Sequence, residues 1–340
     1  MGQSLRFALL IFLLGILFLL DILLGSVTIS TESVLRALFS PASSDETIRT
    51  IIFQFRIPKA LTAVLAGVAL SISGLQMQTV FRNPLAGPDV LGISAGASLG
   101  VALFALGFSS FFSFGILSFA GAWPLALVAW LGAFLVMLLV LYVSTRVNDI
   151  MTILILGILF TSATGAIVSI LQYFSSEAML KAFIVWTMGS LGSVTSGQLT
   201  VMATAVIFGT FLSFLKIKAL NAFLLGETVA RSLGVNVTRS RLGVFFSASL
   251  LAGTITAFCG PIGFIGIAVP HLARVMFRAS NHLVLLPAVL LLGANVMLFS
   301  DIVSQLPGMQ TTLPINSVTA LIGIPVVVWM IVRNKKFVSV

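Results

Sequence analysis

Ten apolar stretches of roughly twenty residues each follow one another along this chain, with short polar turns between most of them. A stretch of that length crosses a hydrocarbon layer about 30 Å thick as a helix, because each backbone N–H and C=O then finds its partner inside the segment. The stretches lie at approximately 5–27, 57–80, 92–110, 115–143, 150–173, 197–215, 241–260, 262–279, 284–304 and 314–333. Composition agrees: only 8% of the 340 residues are charged and 59% are hydrophobic, whereas a soluble domain keeps about a quarter of its residues charged. The expected fold is therefore an all-α polytopic membrane protein, one transmembrane unit over 1–340. The first stretch is too long for a signal-peptide core and no small-residue cleavage site follows it, so it reads as a membrane helix.

The net charge of +9 is spread in ones and twos between the stretches. No basic stripe tracks phosphates, which excludes a nucleic-acid partner. An even number of spans puts both termini on one side. That side would hold Arg6, Arg82, Arg146, Lys216, Lys218, Arg231, Arg239, Arg241, Arg274, Arg278, Arg333, Lys335 and Lys336, and the other only Arg36, Arg49, Arg56, Lys59 and Lys181. The positive-inside rule then expects cytoplasmic termini in a bacterial inner membrane. The single Cys259 rules out an intrachain disulfide and argues against a thiolate metal site.

Two connections are longer than turns. Residues 28–55 form a polar outer connection with Pro41 and the acidic pair Asp45 and Glu46. Residues 216–241 set Leu220, Phe223, Leu224 and Leu233 beside Glu227, Arg231 and Arg239, a spacing that predicts one or two short amphipathic helices. Such helices lie on lipid or fit a groove in a partner. The halves also echo one another. Leu65-Ala66-Gly67 with Gly74 recurs as Leu251-Ala252-Gly253 with Gly260, and Leu156-Gly157-Ile158 is answered by Ile322-Gly323-Ile324. Five helices per half, about 1–175 and 197–340, would make the repeats inverted.

Catalytic motifs are thin. There is no phosphate-cradling G-x-x-x-x-G-K-[ST] loop and no H-E-x-x-H, and His271 and His282 are too far apart in sequence to suggest a zinc pair. Gly92-Ile93-Ser94-Ala95-Gly96 matches a nucleophile elbow but opens a membrane helix instead of following a strand. Gly92, Gly96 and Gly100 also form a small-residue stripe for close helix approach. Asp21 and Asp301 are the only candidate intramembrane acids, each near the outer end of its helix, which argues against a proton relay. Pro84 and Pro88 frame a tight inner turn in which Asp89 could cap the next helix, and Pro270 is expected to kink the eighth span.

These boundary segments carry a resemblance. Arg56-Ile57-Pro58-Lys59, Ala66-Gly67, Ser73-Gly74, Gln78, Arg82-Asn83-Pro84-Leu85-Ala86 and Leu91-Gly92-Ile93-Ser94 resemble the iron-chelate, haem and vitamin B12 permeases, the membrane subunits of type II ABC importers. Trp186-Thr187-Met188-Gly189-Ser190-Leu191, Leu225-Gly226-Glu227 with Ala230 and Leu233-Gly234, Gly260-Pro261-Ile262-Gly263-Phe264-Ile265-Gly266, Val269-Pro270-His271 and Leu313-Pro314 with Thr319 and Gly323 continue it in order.

The resemblance implies a homodimer with a pathway along its axis. It also implies two ATPase subunits on the cytoplasmic face and a periplasmic or lipid-anchored binding protein outside. No cofactor would reside in this chain, ATP and Mg being held by the ATPase. ATPase coupling falls on Leu224, Leu225, Gly226, Glu227, Ala230, Arg231, Leu233 and Gly234. The cytoplasmic gate carries over to Asn83, Leu85, Ile150 and Met151, and binding-protein docking to Arg56 and Lys59. Pathway lining falls on Thr161, Ser162, Thr164, Gly165, Ser169, Ser317 and Thr319. Where some members carry an arginine before the last helix this chain has Gln305, which disfavours cobalamin. The expected cargo is a ferric siderophore, with haem or cobalamin behind it. The rivals are an ion-coupled transporter working without an ATPase and an intramembrane hydrolase using Ser94.

Overall fold

The computed structural model describes residues 2–25, 27–40, 44–107, 123–147, 149–305 and 312–333. Among these, helices α1 (Gln3–Leu23), α3 (Glu46–Val80), α5 (Trp123–Arg146), α6 (Ile150–Phe174), α8 (Ser196–Leu215), α11 (Val237–Cys259), α13 (His282–Ser304) and α14 (Ile315–Arg333) are long and apolar enough to cross a membrane. Two shorter apolar helices, α4 (Ile93–Gly107) and α12 (Ile265–Phe277), bring the apolar helices to the ten expected. The remaining helices are α2 (Thr31–Phe39), α7 (Glu177–Thr187), α9 (Ile217–Leu224) and α10 (Glu227–Ser232). Residues 108–122 of the expected third and fourth stretches, together with Pro41, Lys335 and Lys336, lie outside the described residues.

One boundary differs clearly from expectation. The second span starts at Glu46 rather than near 57, so part of the expected polar connection is helical. The Asp45 carboxylate caps this extension by accepting from Thr47 N at 2.7 Å. A π-helical stretch, Ile51–Arg56, then precedes Pro58. Proline has no N–H and its ring crowds the carbonyl four residues back, and a locally widened turn relieves both problems.

α3, α11 and α13 form the buried centre, while α1, α6, α8 and α14 are mostly exposed. Hydrocarbon does not drive helices together, so the centre closes by small residues and hydrogen bonds between helices. Gly67 lies against the Gly293 backbone and Gly74 against that of Gly266, so close that neither has room for a side chain. Ser71 donates to Val289 O at 2.8 Å and Ser73 to Ala248 O at 2.9 Å. Gln76 reaches Ser213 Oγ at 2.9 Å and Ser247 Oγ at 3.2 Å.

The packing repeats between the halves. α3 on α13 is answered by α11 on α5, α4 on α5 by α12 on α13, α4 on α6 by α12 on α14, and α12 on α3 by α4 on α11. The sequence echo follows the same rule: Gly67 faces α13, and its counterpart Gly253 faces Ala133 of α5. The correspondence fails at the rim, where α1 packs on α13 but α8 packs on α3 and α11.

Candidate functional site

Side-chain contacts gather Arg6, Arg274 and Arg241 at one end of the bundle. Arg6 Nη1 donates to Met276 O at 2.6 Å, joining the start of α1 to the end of α12. Arg274 Nη1 donates to Gln78 Oε1 at 2.5 Å, and Arg241 Nη2 to Ser144 O at 2.9 Å and Val147 O at 3.1 Å. This end is called the basic face.

The segment expected to be amphipathic emerges here as the pair α9–α10. Buried Leu220 and Phe223 turn α9 toward α3 and α13. Asn221 holds the same helix with hydrogen bonds. Its Nδ2 donates to Asn281 Oδ1 at 2.9 Å, and its Oδ1 accepts from His282 N at 2.9 Å and lies 2.8 Å from His282 Nδ1. Asn281 Oδ1 also accepts from Leu283 N at 2.9 Å, which fixes both amides and puts a proton on Nδ1. Between the helices Gly226 takes φ +99°, a conformation that a side chain strains. α10 closes on Gly234 at φ +80°, with Gly234 N donating to Arg231 O and Val235 N to Ala230 O, a Schellman stop.

Ala230 is buried, whereas Leu224, Leu225, Val229 and Leu233 stand outward, Leu225 and Leu233 at 60% and 63% exposure. This apolar edge lies on a segment between spans, so it suits a protein surface better than water. Arg231 is exposed and pairs with Glu227 at 3.9 Å, a contact that contributes little by itself.

The α9–α10 junction lies beside one of the turns expected to form a gate and reaches the approach to the other through Arg241. Arg82, the left-handed residue that ends α3, places its guanidinium beside Gly226. The next residue, Asn83, accepts from Leu85 N at 2.9 Å and so shapes the turn that exposes Leu85. On the other side Glu227 Oε1 lies 3.6 Å from buried Arg241 Nη1, and Arg241 binds the carbonyls that end α5. Two residues beyond Val147, Asp149 caps α6, accepting from Thr152 Oγ1 at 2.6 Å, Thr152 N at 3.0 Å and Met151 N at 3.2 Å. The Thr152 hydroxyl above all, then the two N–H groups, holds the Asp149 carboxyl below its ordinary range. Ile150 is half-buried and Met151 exposed. The turn Pro88–Leu91 packs on α6 where Gly157 meets the Val90 backbone, so the two turns share this face.

The opposite end holds the two cations expected at a docking surface. Arg56 is only 8% exposed. Its guanidinium donates to Ile22 O at 2.7 Å, Leu23 O at 2.9 Å and Val27 O at 2.6 Å, satisfying carbonyls at and just beyond the end of α1. Lys59 Nζ lies 3.0 Å from buried Asp301 Oδ1. Gln305 Nε2 donates to Asp21 Oδ1 at 2.8 Å and to Asp301 Oδ2 at 3.1 Å. Both cations are engaged by groups of the subunit itself. Together with Gln305 they border an open cavity of ≈ 650 Å³.

The pathway residues divide. Thr161, Ser162, Gly165, Ser169 and Ser317 are exposed, and the hydroxyls of Thr161, Ser162 and Ser169 bond back to carbonyls of α6. Thr164 and Thr319 are buried against neighbouring helices and line no surface of the subunit. Ser94 Oγ binds Asp89 Oδ1 at 2.5 Å, so Asp89 engages a side chain rather than the first backbone N–H groups of α4. His282 is bound to Asn221 and Thr79, and the His271 ring lies against Trp329. Neither histidine stands beside Ser94, so a Ser-His pair is not formed, while Gly96 and Gly100 press on the α5 backbone as a packing stripe does. Sequence reasoning missed Arg241 and the Asn221–His282 pair as anchors of this face. The available signal was a cation in the first turns of a span that follows an amphipathic segment.

Eight helices long and apolar enough to cross a membrane, two shorter apolar ones, and an exposed apolar edge beside the turns at one face define a polytopic membrane permease. The chain belongs to the FecCD transport family, whose model matches residues 13–333. It is 33% identical over 327 residues to the hemin transport system permease protein HmuU of Yersinia pestis, covering 95% of this chain and 96% of that one. It is 35% identical over 285 residues to the vitamin B12 import system permease protein BtuC of Klebsiella pneumoniae, covering 84% and 83%. Its fold matches that of a solved transporter described as of metal-chelate ABC type, in an inward-facing conformation. The TM-score is 0.82 at 28% identity, covering 97% of this chain and 99% of that one.

Proposed function

We propose that this chain is the permease subunit of an ATP-driven importer for a metal chelate, a ferric siderophore ahead of haem or cobalamin, working by alternating access across a bacterial inner membrane. The observation that carries the reading is the exposed apolar edge of α9–α10, beside the Asn83–Leu85 turn and linked through Arg241 to the end of α5. An ATPase seated on Leu225, Val229 and Leu233 would pull on Gly226 and Glu227. The first lies beside Arg82 and the Asn83–Leu85 turn, and the second reaches the end of α5, and so Ile150 and Met151, through Arg241. The exposed hydroxyl-bearing face of α6, with Ser317 of α14, would meet its copy across a homodimer axis and line the passage. A soluble binding protein would deliver cargo at the opposite end, and ATP and Mg would stay in the ATPase. Asp21 and Asp301 give an ion-coupled mechanism little footing, because Lys59 and Gln305 already engage them.

Reconstituting the permease with its ATPase and binding protein in liposomes tests this directly. Ferric siderophore uptake should require ATP, and uptake driven by an ion gradient without the ATPase would refute the proposal. Leu225→Asp with Leu233→Asp should weaken ATPase association by about thirtyfold or more, as expected for anchors of an interface. Glu227→Ala should leave association largely intact while ATP hydrolysis no longer drives uptake. Normal uptake by Glu227→Ala would remove the Arg241 link from the mechanism.

A further inference from the structure

A second cavity, at the basic face and outside the site just described, has chemistry that the transport reading does not use. It is a groove of ≈ 690 Å³ between the last turns of α5, the end of α8 and the first turns of α11. Leu141, Phe208, Leu212 and Phe246 make its walls apolar. α5 and α8 carry exposed apolar side chains along much of their length, so the groove opens onto hydrocarbon.

Its mouth is cationic. Lys216, the residue between α8 and α9, lines it and lies flat across α11, where a side chain at Gly243 would come within 2.6 Å of the lysine Cε. Glycine at that position leaves the path the lysine follows. Tyr142 also lines the mouth, with the Arg146 guanidinium 5.7 Å from its ring centre. Among the described residues no carboxylate forms an ion pair with Lys216 or Arg146. Asp149, the acid nearest Arg146 in sequence, is engaged by Met151 and Thr152, and Glu227 pairs with Arg231 and Arg241. Apolar walls at membrane depth beneath two such cations complement one kind of molecule: two acyl chains joined to a phosphodiester. Basic pockets between membrane helices recognise anionic lipid in this way.

We propose that this groove is a binding site for an anionic glycerophospholipid, with its chains against Leu141, Phe208, Leu212 and Phe246 and its phosphodiester held by Lys216 and Arg146. The bound headgroup sits where α8 turns into α9, so membrane composition reaches the first residue of the partner-binding pair. The assignment needs only that the chain spans a bilayer, and it stands or falls apart from the cargo and the ATPase.

Native mass spectrometry of the full chain in detergent, with phosphatidylglycerol or phosphatidylcholine added, reads the site. The wild type should retain phosphatidylglycerol preferentially, by about fivefold for each contributing cation. Lys216→Ala with Arg146→Ala should bring the two lipids to equal retention, and Lys216→Arg should keep the preference. Leu212→Trp, which fills the groove, should release the lipid without changing the charge. Excess inorganic phosphate should leave the lipid bound, because its chains hold half of the site. Equal retention of both lipids by the wild type, a preference that survives the double substitution, or displacement by phosphate would each overturn the proposal.

Discussion

Gly74→Val should abolish assembly of the bundle, leaving protein that aggregates on extraction in mild detergent. A Cβ at this position would run into the Gly266 carbonyl, which is backbone and cannot rotate aside. The only relief is to separate α3 from α12, and α3 is also held to α11 and α13 by Ser73 and Ser71. Overpacking a tight interior costs about 1–3 kcal/mol where side chains can adjust, and here none can, so the loss should exceed that range. Gly15→Val is the matched control, since nothing lies within 4 Å of a Cβ added there in α1. Size-exclusion profiles of the two variants check the prediction. A monodisperse Gly74→Val peak at the wild-type volume would show that the two helices do not approach so closely.

Lys59→Met is expected to destabilise the folded subunit by about 3–5 kcal/mol, the usual effect of stripping one partner from a buried ion pair. The lysine side chain keeps 22% exposure while that of Asp301 has 1%, so screening by water places the loss toward the lower end. The cost arises from a carboxylate left in contact with the Asp21 carboxyl, with the Gln305 amide donating to both. Adding Asp301→Asn removes that charge and should recover most of the stability, a non-additivity that a thermal melt in detergent reads directly. If the double variant melts no higher than Lys59→Met alone, the ion pair is not what holds this corner together.

The apolar helices were legible because length and apolarity together leave a chain few other ways to fold. The α9–α10 pair was legible too, since Leu220 and Phe223 recur on one face of a polar segment. The internal partners of Arg56 and Lys59 were not legible, for a spatial reason. A cation near a helix end looks free in sequence, but the carbonyls that engage Arg56 lie some thirty residues upstream and Asp301 lies on α13. The burial of Thr164 and Thr319 was not legible because small and hydroxyl residues lie on more than one face of α6 and α14, and only the neighbouring helices decide which face is covered. The early start of the second span was hidden by Glu46 and Arg49, whose charges look like loop although Asp45 caps a helix there. Arg241 had counted only toward membrane orientation. Its hold on the end of α5 depends on a carbonyl end that the sequence does not display.

A centre closed glycine to backbone has no loose side chains with which to take up a second arrangement. α3, α11, α12 and α13 should therefore travel as one rigid chassis through whatever cycle the protein performs, and displacement falls to the sparsely buried α6 and α14. Spin labels placed on the chassis should keep fixed separations, whereas a pair bridging it and α6 should report the stroke.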